Sequence, residues 1–374
     1  MSARAATPTG RAVSTGARRT GDDAPPGAFL AACRRQPVPH RPIWIMRQAG
    51  RYLPGYQKIR ERKSFLEVAK TPELAAEVSI EPYKVLDVDA IIVFSDILIV
   101  AEAMGVQLEI NDDGPRIGKL VLDGSAVKAL KAFDPSSETR FVGDAIRTIA
   151  RSVGPDVPIL GFAAAPWTLA CYLVEGRTRG ELSVIKRMMY TEPALLRALL
   201  DKIAHVTAHY LKMQIDAGAT AVQIFDTWAG ELSTRDYEDF CMRPTRALIE
   251  EICPGKAPVI LYSKNGAHLL RAVARSGASV LSVDWRTDLA EARANVGAKL
   301  ALQGNVDPAV LLGPEEKIRS AVREAIGKTD GIGHILNLGH GILPTTPVEN
   351  AKAFVAAARE YSQSDARRVA RTVE

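Results

Sequence analysis

Eight short apolar runs, rich in β-branched residues, recur along the body of this chain and are separated by longer amphipathic stretches. The runs occupy 42–46, 89–94, 158–163, 220–225, 258–263, 279–284, 299–304 and 334–339. Each is nearly continuous rather than alternating, as parallel strands covered on both faces must be. The stretches 71–86, 194–218 and 267–277 carry helical patterns between them. Thr71-Pro72-Glu73 reads as an N-cap, a first-turn proline and a first-turn acid, and Gly218 and Gly277 stand where helix C-caps belong. Strand–helix alternation repeated eight times predicts an α/β fold, a single (β/α)8 TIM barrel, rather than an open sheet.

A length of 374 residues suits two or three average domains, but one barrel of this kind reaches the same size. The reading is therefore one barrel over 28–362, with a disordered basic extension at 1–27 and a frayed tail at 363–374. The extension is Arg-, Ser- and Thr-rich and acid-poor, a composition it shares with organelle transit peptides. Two segments exceed ordinary loop length, 105–140 and 173–181, and either is expected to fold over a mouth.

Composition excludes several classes. Hydrophobic residues are 47% and charged residues 24%, which rules out a disordered or collagen-like chain. The longest apolar candidate, AIIVFSDILIVAEAMG, is interrupted by Asp96 and Glu102 and is no membrane span. Net charge is +5, but four arginines within residues 1–20 supply most of it, and a nearly neutral body argues against nucleic-acid binding. Cys33, Cys171, Cys241 and Cys253 form no CxxC pair, so they read as free thiols in a reducing compartment, and a cytoplasmic protein is expected.

In such a barrel, chemistry gathers at the C-terminal ends of the strands. The residues that follow the runs are more varied than turns require. After 42–46 come Arg47-Gln48-Ala49-Gly50-Arg51-Tyr52; Ser95-Asp96 follow 89–94, and Thr227 and Trp228 follow the run at 220–225. Tyr172 lies one turn beyond Ala165-Pro166-Trp167-Thr168, and His340 sits between glycines after the last run. Arg47 and Arg51, four apart with no acid near them in sequence, suit an anion held by guanidinium forks, and Arg60 adds a third cation; salt bridges elsewhere are the alternative. Asp96, flanked by apolar residues, is either a helix cap or buried structural partner, or a carboxylate facing the mouth as acid, base or counter-charge. His340 is a ligand contact or a loop histidine capping the backbone. Tyr172 and Thr227 have equally plain alternatives as a core ring and a turn hydroxyl. Trp167, Trp228 and Trp285 suggest a wide apolar cavity or barrel-core packing.

The chain has no P-loop, no GxGxxG opening a helix, no GxSxG elbow and no HExxH. Its six histidines form no three-ligand cluster in sequence; His205 and His209, at i and i+4, read better as outward-facing or packing residues than as a metal pair. Nothing in the residues obliges a cofactor. Cationic hooks, a lone carboxylate, a tyrosine, a threonine, a histidine and aromatic walls together suit a large flat polyanion on which positive charge develops.

IWIMRQAGRYLPGY and GFAAAPWTLACYLVEG closely resemble the two signature segments of the uroporphyrinogen decarboxylase family, and FSDIL, FDTWAG, LQGNVDP and NLGHGI resemble its remaining blocks in order. The likeness runs from about Phe29 to about Ser362. It implies a barrel, a homodimer with facing clefts, and decarboxylation of the four acetate side chains of uroporphyrinogen III to give coproporphyrinogen III without metal or organic cofactor. By motif, it implies that Arg47 and Arg51 bind substrate carboxylates, that the Gln48-Ala49-Gly50 backbone lines the cleft, and that Asp96 bonds the pyrrole N–H groups. Tyr172, Thr227 and His340 complete the implied set, with Arg60 at the rim. Gly55, Ala164 and the SKNG stretch at 263–266 depart from the usual pattern, which leaves Lys264 without an assigned role.

The chemistry agrees. Protonating a pyrrole α-carbon makes the ring cationic and able to accept the electrons released with CO2, so the demand on the protein is a preorganised anion near the ring nitrogens, for which Asp96 is the well-placed candidate. Two rival readings are a corrinoid-linked methyltransferase, which needs a His/Cys zinc site not visible here, and a non-catalytic tetrapyrrole-binding protein, which would not need Asp96 and Tyr172.

Overall fold

Seven of the eight apolar runs form one curled parallel sheet in the computed structural model, which describes residues 27–50, 52–111, 114–176, 181–252, 257–329 and 331–372. The strands are β1 (Ile91–Ile92), β2 (Leu108–Asn111), β3 (Gly114–Ile117), β4 (Ile159–Ala164), β5 (Ala221–Asp226), β6 (Val259–Ser263), β7 (Val280–Val283), β8 (Ala301–Gln303) and β9 (His334–Ile335). The sheet runs β1-β4-β5-β6-β7-β8-β9, every pair parallel, with helices such as Arg140–Val153, Pro193–Asp216 and Glu315–Gly327 in the crossovers and Pro72–Leu86 leading into β1. All residues of β4, β6 and β7 are buried, which is why these runs show no polar alternation.

The eighth run, 42–46, is not a strand. It makes one isolated parallel bridge, Ile43 to Leu336. Its backbone is nevertheless tied on both sides: Leu336 N–H donates to Pro42 O at 2.9 Å, and Asp89 N–H donates to Ile43 O at 2.7 Å. The segment therefore lies between the continuation of β9 and the approach to β1. Pro42 has no N–H to give a ladder, and side chains take several of the remaining bonds. Asn337 Oδ1 accepts from Met46 N–H at 2.8 Å, and Asp89 Oδ2 accepts from Ile43 N–H at 2.7 Å.

Two locks fix the barrel around the site. On the outer side, Gln214 clasps β4: its Oε1 accepts from Phe162 N–H at 2.9 Å and its Nε2 donates to Phe162 O at 3.0 Å. A Cβ at Gly161 would meet Gln214 Oε1 at 2.5 Å, so this strand position needs glycine. In the interior, Gln303 accepts from Trp44 Nε1 at 2.8 Å and donates to Ser282 Oγ at 2.9 Å, so a buried polar network joins the 42–46 segment to β7 and β8.

Three boundary expectations change. Thr71 precedes its helix, but its hydroxyl donates back to Glu67 O at 2.7 Å and caps no N–H of that helix. The long segment 105–140 is not a plain loop; it contains the antiparallel β2–β3 hairpin and two short helices, Gly124–Ala129 and Pro135–Glu138. The last helix runs Val348–Thr372 and so extends into the stretch 363–374 that was read as a frayed tail, whose alanines and arginines are good helix formers. Arg51, Cys253, residues 177–180 of the second long segment and residues 1–26 lie outside the described residues. Among the described residues no helix is long and apolar enough to cross a membrane.

Candidate active site

A cavity of about 710 Å³ opens where the strands end, within the size range of pockets for organic ligands. It brings together Arg47, Ala49, Gly50, Arg60, Asp96, Tyr172, Thr227 and His340, which sequence reading places at strand ends scattered over nearly 300 residues.

Arg47 is held out by a tight turn. Gln48 N–H donates to Ile45 O at 2.8 Å, and Arg47 sits in that turn with φ of +61°, a conformation uncommon for a residue with a Cβ. The Gln48 side chain is fully buried and braces the turn: Oε1 accepts from Ile45 N–H, and Nε2 donates to Ala90 O, both at 2.9 Å. The Gln48-Ala49-Gly50 backbone was expected to line the cleft; Ala49 and Gly50 do, and Gln48 is not among the lining residues but braces the turn that carries Arg47. Gly341 completes the placement, since a Cβ there would meet Arg47 Cδ at 2.3 Å.

Asp96 is half-buried in the loop after β1, and its Oδ1 accepts from Leu98 N–H at 2.8 Å. That Asx-type turn fixes the carboxylate ahead of the helix Ile99–Ala103 while the residue still lines the cavity. Thr227 follows β5 directly. The preceding Asp226 is fully buried and accepts from Thr168 Oγ1 at 2.8 Å and Tyr237 Oη at 3.2 Å. Burial pushes the Asp226 carboxyl up to about 7, against the lowering effect of these two hydroxyls. Thr168 also accepts from Trp228 N–H at 3.2 Å, so Asp226, Thr168 and Trp228 brace the loop that carries Thr227. Sequence reading missed this role for Asp226; its signal was a carboxylate ending an apolar run.

His340 Nδ1 is 3.0 Å from the phenol of Tyr262. Lys264 does not line the cavity, yet burial and the nearby charges of Arg286 and Arg47 lower its ammonium pKa, so it stands in the same cationic neighbourhood.

The aromatic walls are not the tryptophans. Trp167 is buried in the core and donates Nε1–H to Trp228 O at 3.0 Å, and none of Trp167, Trp228 and Trp285 lines the cavity. Phenylalanines build the walls instead. Phe94 packs against Tyr56 and Phe65 with centroids at 5.5 and 5.1 Å, and Phe162 meets Phe225 edge-on at 5.7 Å. The β2–β3 hairpin adds Ile110, Gly114 and Pro115 to one side of the opening. The result is a largely apolar slot whose lining also holds the guanidiniums of Arg47 and Arg60 and the Asp96 carboxylate, suited to a flat ring system carrying several acidic arms.

Comparison with known proteins agrees with this geometry. The profile of the uroporphyrinogen decarboxylase (URO-D) family matches residues 25–361. Among similar proteins, the uroporphyrinogen decarboxylase of Gloeobacter violaceus is 43% identical, covering 91% of this chain and 99% of that protein. That of Tolumonas auensis is 46% identical, covering 89% and 96%. Among solved structures, a methyltransferase from Methanosarcina mazei superposes with a TM-score of 0.75 at 23% identity, over 89% of this chain and 98% of its own, a likeness of fold alone.

Proposed function

The chain belongs to the uroporphyrinogen decarboxylase family, and from that premise we propose how its cavity converts uroporphyrinogen III to coproporphyrinogen III. The reaction is a carboxy-lyase one: each of four acetate arms becomes a methyl group with release of CO2. The observation that carries the residue assignments is that one cavity holds Asp96 among apolar walls with Arg47 and Arg60 on its lining.

The macrocycle occupies the phenylalanine-walled slot with its pyrrole N–H groups towards the Asp96 carboxylate. Arg47 and Arg60, with Arg51 by motif, bind carboxylate arms; Tyr172, Thr227 and His340 contact the remaining polar edge, and the Ala49-Gly50 backbone lies against the substrate. A proton added to the pyrrole α-carbon beside an acetate turns the ring into an iminium-like cation. The C–C bond to the carboxylate then breaks, CO2 leaves, and the bonding pair flows into the ring, leaving an exocyclic methylene. Protonation of that methylene and loss of the α-carbon proton restore the pyrrole with a methyl group. One proton is consumed for each CO2 released. The ring is the electron sink, so the charge balance closes without a cofactor. Asp96 acts because its fixed charge is worth most when the ring is cationic, and a preorganised group of this kind lowers the barrier rather than tightening ground-state binding.

We further infer a cytoplasmic homodimer. Buried, unpaired Cys33, Cys171 and Cys241 suit a reducing compartment, and size-exclusion chromatography with light scattering tests the dimer. The decisive experiment is anaerobic incubation of the purified protein with uroporphyrinogen III. Four equivalents of CO2 and coproporphyrinogen III are expected; tight binding without CO2 release would favour a tetrapyrrole carrier instead.

A further inference from the structure

Away from the cavity, His205 and His209 project from one face of the helix Pro193–Asp216, and Glu251 ends the neighbouring helix Met242–Glu251. All three are exposed. The sequence placed only two candidate ligands together; the third arrives through helix packing. His209 Nδ1 lies 3.0 Å from the backbone oxygen of His205, and a carbonyl only accepts, so Nδ1 carries the proton. In the neutral ring that leaves a lone pair on Nε2, 3.5 Å from Glu251 Oε1. His205 Nδ1 is also 3.5 Å from that same oxygen, and the two imidazoles stand edge to face with centroids 4.4 Å apart. A nitrogen lone pair facing a carboxylate oxygen is repulsive unless a proton or a metal cation lies between them, and a metal ion serves both imidazoles at once.

The spacing suits a metal. Zinc–nitrogen and zinc–oxygen bonds of about 2.0–2.1 Å at tetrahedral angles put neighbouring ligand atoms about 3.3–3.5 Å apart. Both nitrogen–oxygen separations meet that value, and all three ligand atoms lie within 4.8 Å of one another, a gap that small rotations of exposed imidazoles close. The backbone bond to His209 Nδ1 is the outer partner that fixes the tautomer of a metal-bound histidine.

We propose that His205, His209 and Glu251 form a surface site for a divalent first-row transition-metal ion, with zinc the best match and water completing the coordination. Two imidazoles and a carboxylate are a borderline donor set that favours such ions over calcium or magnesium. Glu251 ends the helix that leads into the start of β6, so the site lies towards the N-terminal face of the barrel, opposite the mouth. The ion would clip two barrel helices together and take no part in decarboxylation. Without a cysteine ligand, it is also unlike the thiol-activating zinc of a methyltransferase.

The test uses the untagged full-length protein, stripped with chelator and titrated with zinc chloride by calorimetry. One zinc per chain with micromolar affinity is expected, and Glu251→Gln should weaken binding about tenfold, as removing a metal-site partner does. His205→Ala/His209→Ala should abolish binding, with the decarboxylation rate unchanged in every variant. Saturating zinc should raise the melting temperature of the wild type by about 2–5 °C and leave the double-alanine variant unmoved. Absence of stoichiometric binding at 100 times the protein concentration, on the order of millimolar zinc, overturns the proposal. Binding that persists undiminished in the double variant does so as well.

Discussion

The phenolic oxygen of Tyr262 lies 3.0 Å from Nδ1 of His340, and also 3.0 Å from the carbonyl oxygen of Gly339. The carbonyl accepts only, so all three groups are satisfied when the phenol donates to Gly339 and Nδ1–H of His340 donates to the phenol. The imidazole is thereby oriented by a buried residue that does not line the cavity. Tyr262→Phe removes both of these bonds, at a cost of about 1–2 kcal/mol. The expected outcome is a KM raised about tenfold with kcat little changed. An unaltered KM in steady-state assays would show that the position of His340 does not depend on this bond.

Asp96→Asn keeps the shape of the loop, because Oδ1 still accepts from Leu98 N–H, but it removes the charge. Loss of one preorganised electrostatic group costs about 3–4 kcal/mol, so kcat should fall by about 10²–10³. Substrate dissociation constants should change far less, since the charge matters most when the ring is cationic. Near-wild-type turnover in an anaerobic assay would remove Asp96 from the mechanism.

The barrel was legible because its strands are buried on both faces: Ile91–Ile92, Ile159–Ala164 and Val259–Ser263 fall inside uninterrupted apolar runs. The run at 42–46 looked the same but is only bridged, because its hydrogen bonds pass to Asn337 and Asp89 side chains that no local pattern reveals. The polar lining was legible because Arg47, Asp96, Thr227 and His340 each interrupt a strand end. The walls were not. Phe94, Phe162 and Phe225 lie within the apolar runs themselves, and a phenylalanine facing the mouth has the same sequence signature as one facing the core. Tryptophan size was therefore a misleading guide. Gln48 shows the same limit, since its backbone was read as lining the cleft while nothing in the sequence shows that its amide bonds two backbone groups inside the turn.

Burial raises the Asp226 carboxyl from its ordinary value of 3.8 to about 7. The folded state therefore holds a proton that the unfolded chain releases at lower pH, so between these two values the native state binds more protons. Stability from this group is fully present below the unfolded value and is lost as pH rises through about 7. Asp226→Asn abolishes the titration; its Oδ1 still accepts from Thr168, and its Nδ2 donates to Tyr237 Oη. Urea midpoints for the wild type should fall from pH 5 to pH 8 by more than those of the variant, at roughly one-unit steps around the buried carboxyl's range. Parallel curves would mean that Asp226 is ionised throughout.

The guanidinium of Arg47 should matter through its forked geometry rather than its charge alone. Arg47→Lys keeps a cation and makes no new demand on the φ of +61°, so folding should be unaffected. A point-like ammonium cannot grip a carboxylate with two parallel bonds, and KM should rise about tenfold, in line with losing one charge-assisted bond. Uroporphyrinogen titrations that give equal KM for both proteins would place the arginine outside the binding set.

Gly341 offers a way to disturb Arg47 without touching it. Its φ is not in the left-handed region, so alanine is tolerated by the backbone, but the added Cβ would lie 2.3 Å from Arg47 Cδ and 2.7 Å from Cγ. Only a flexible side chain stands in the way, so Gly341→Ala should fold normally while the arginine swings aside. Gly339→Ala is the contrast. Its Cβ would meet the backbone nitrogen of Trp285 at 2.3 Å, a rigid obstacle, and that variant should lose solubility or melt earlier. The paired expectation is a Gly341→Ala protein with wild-type melting temperature and a KM raised to about that of Arg47→Lys, the same tenfold loss of one charge-assisted bond. Combining the two substitutions should then add little, because residues acting through one contact are not additive. A fully additive double variant would separate Gly341 from the placement of Arg47.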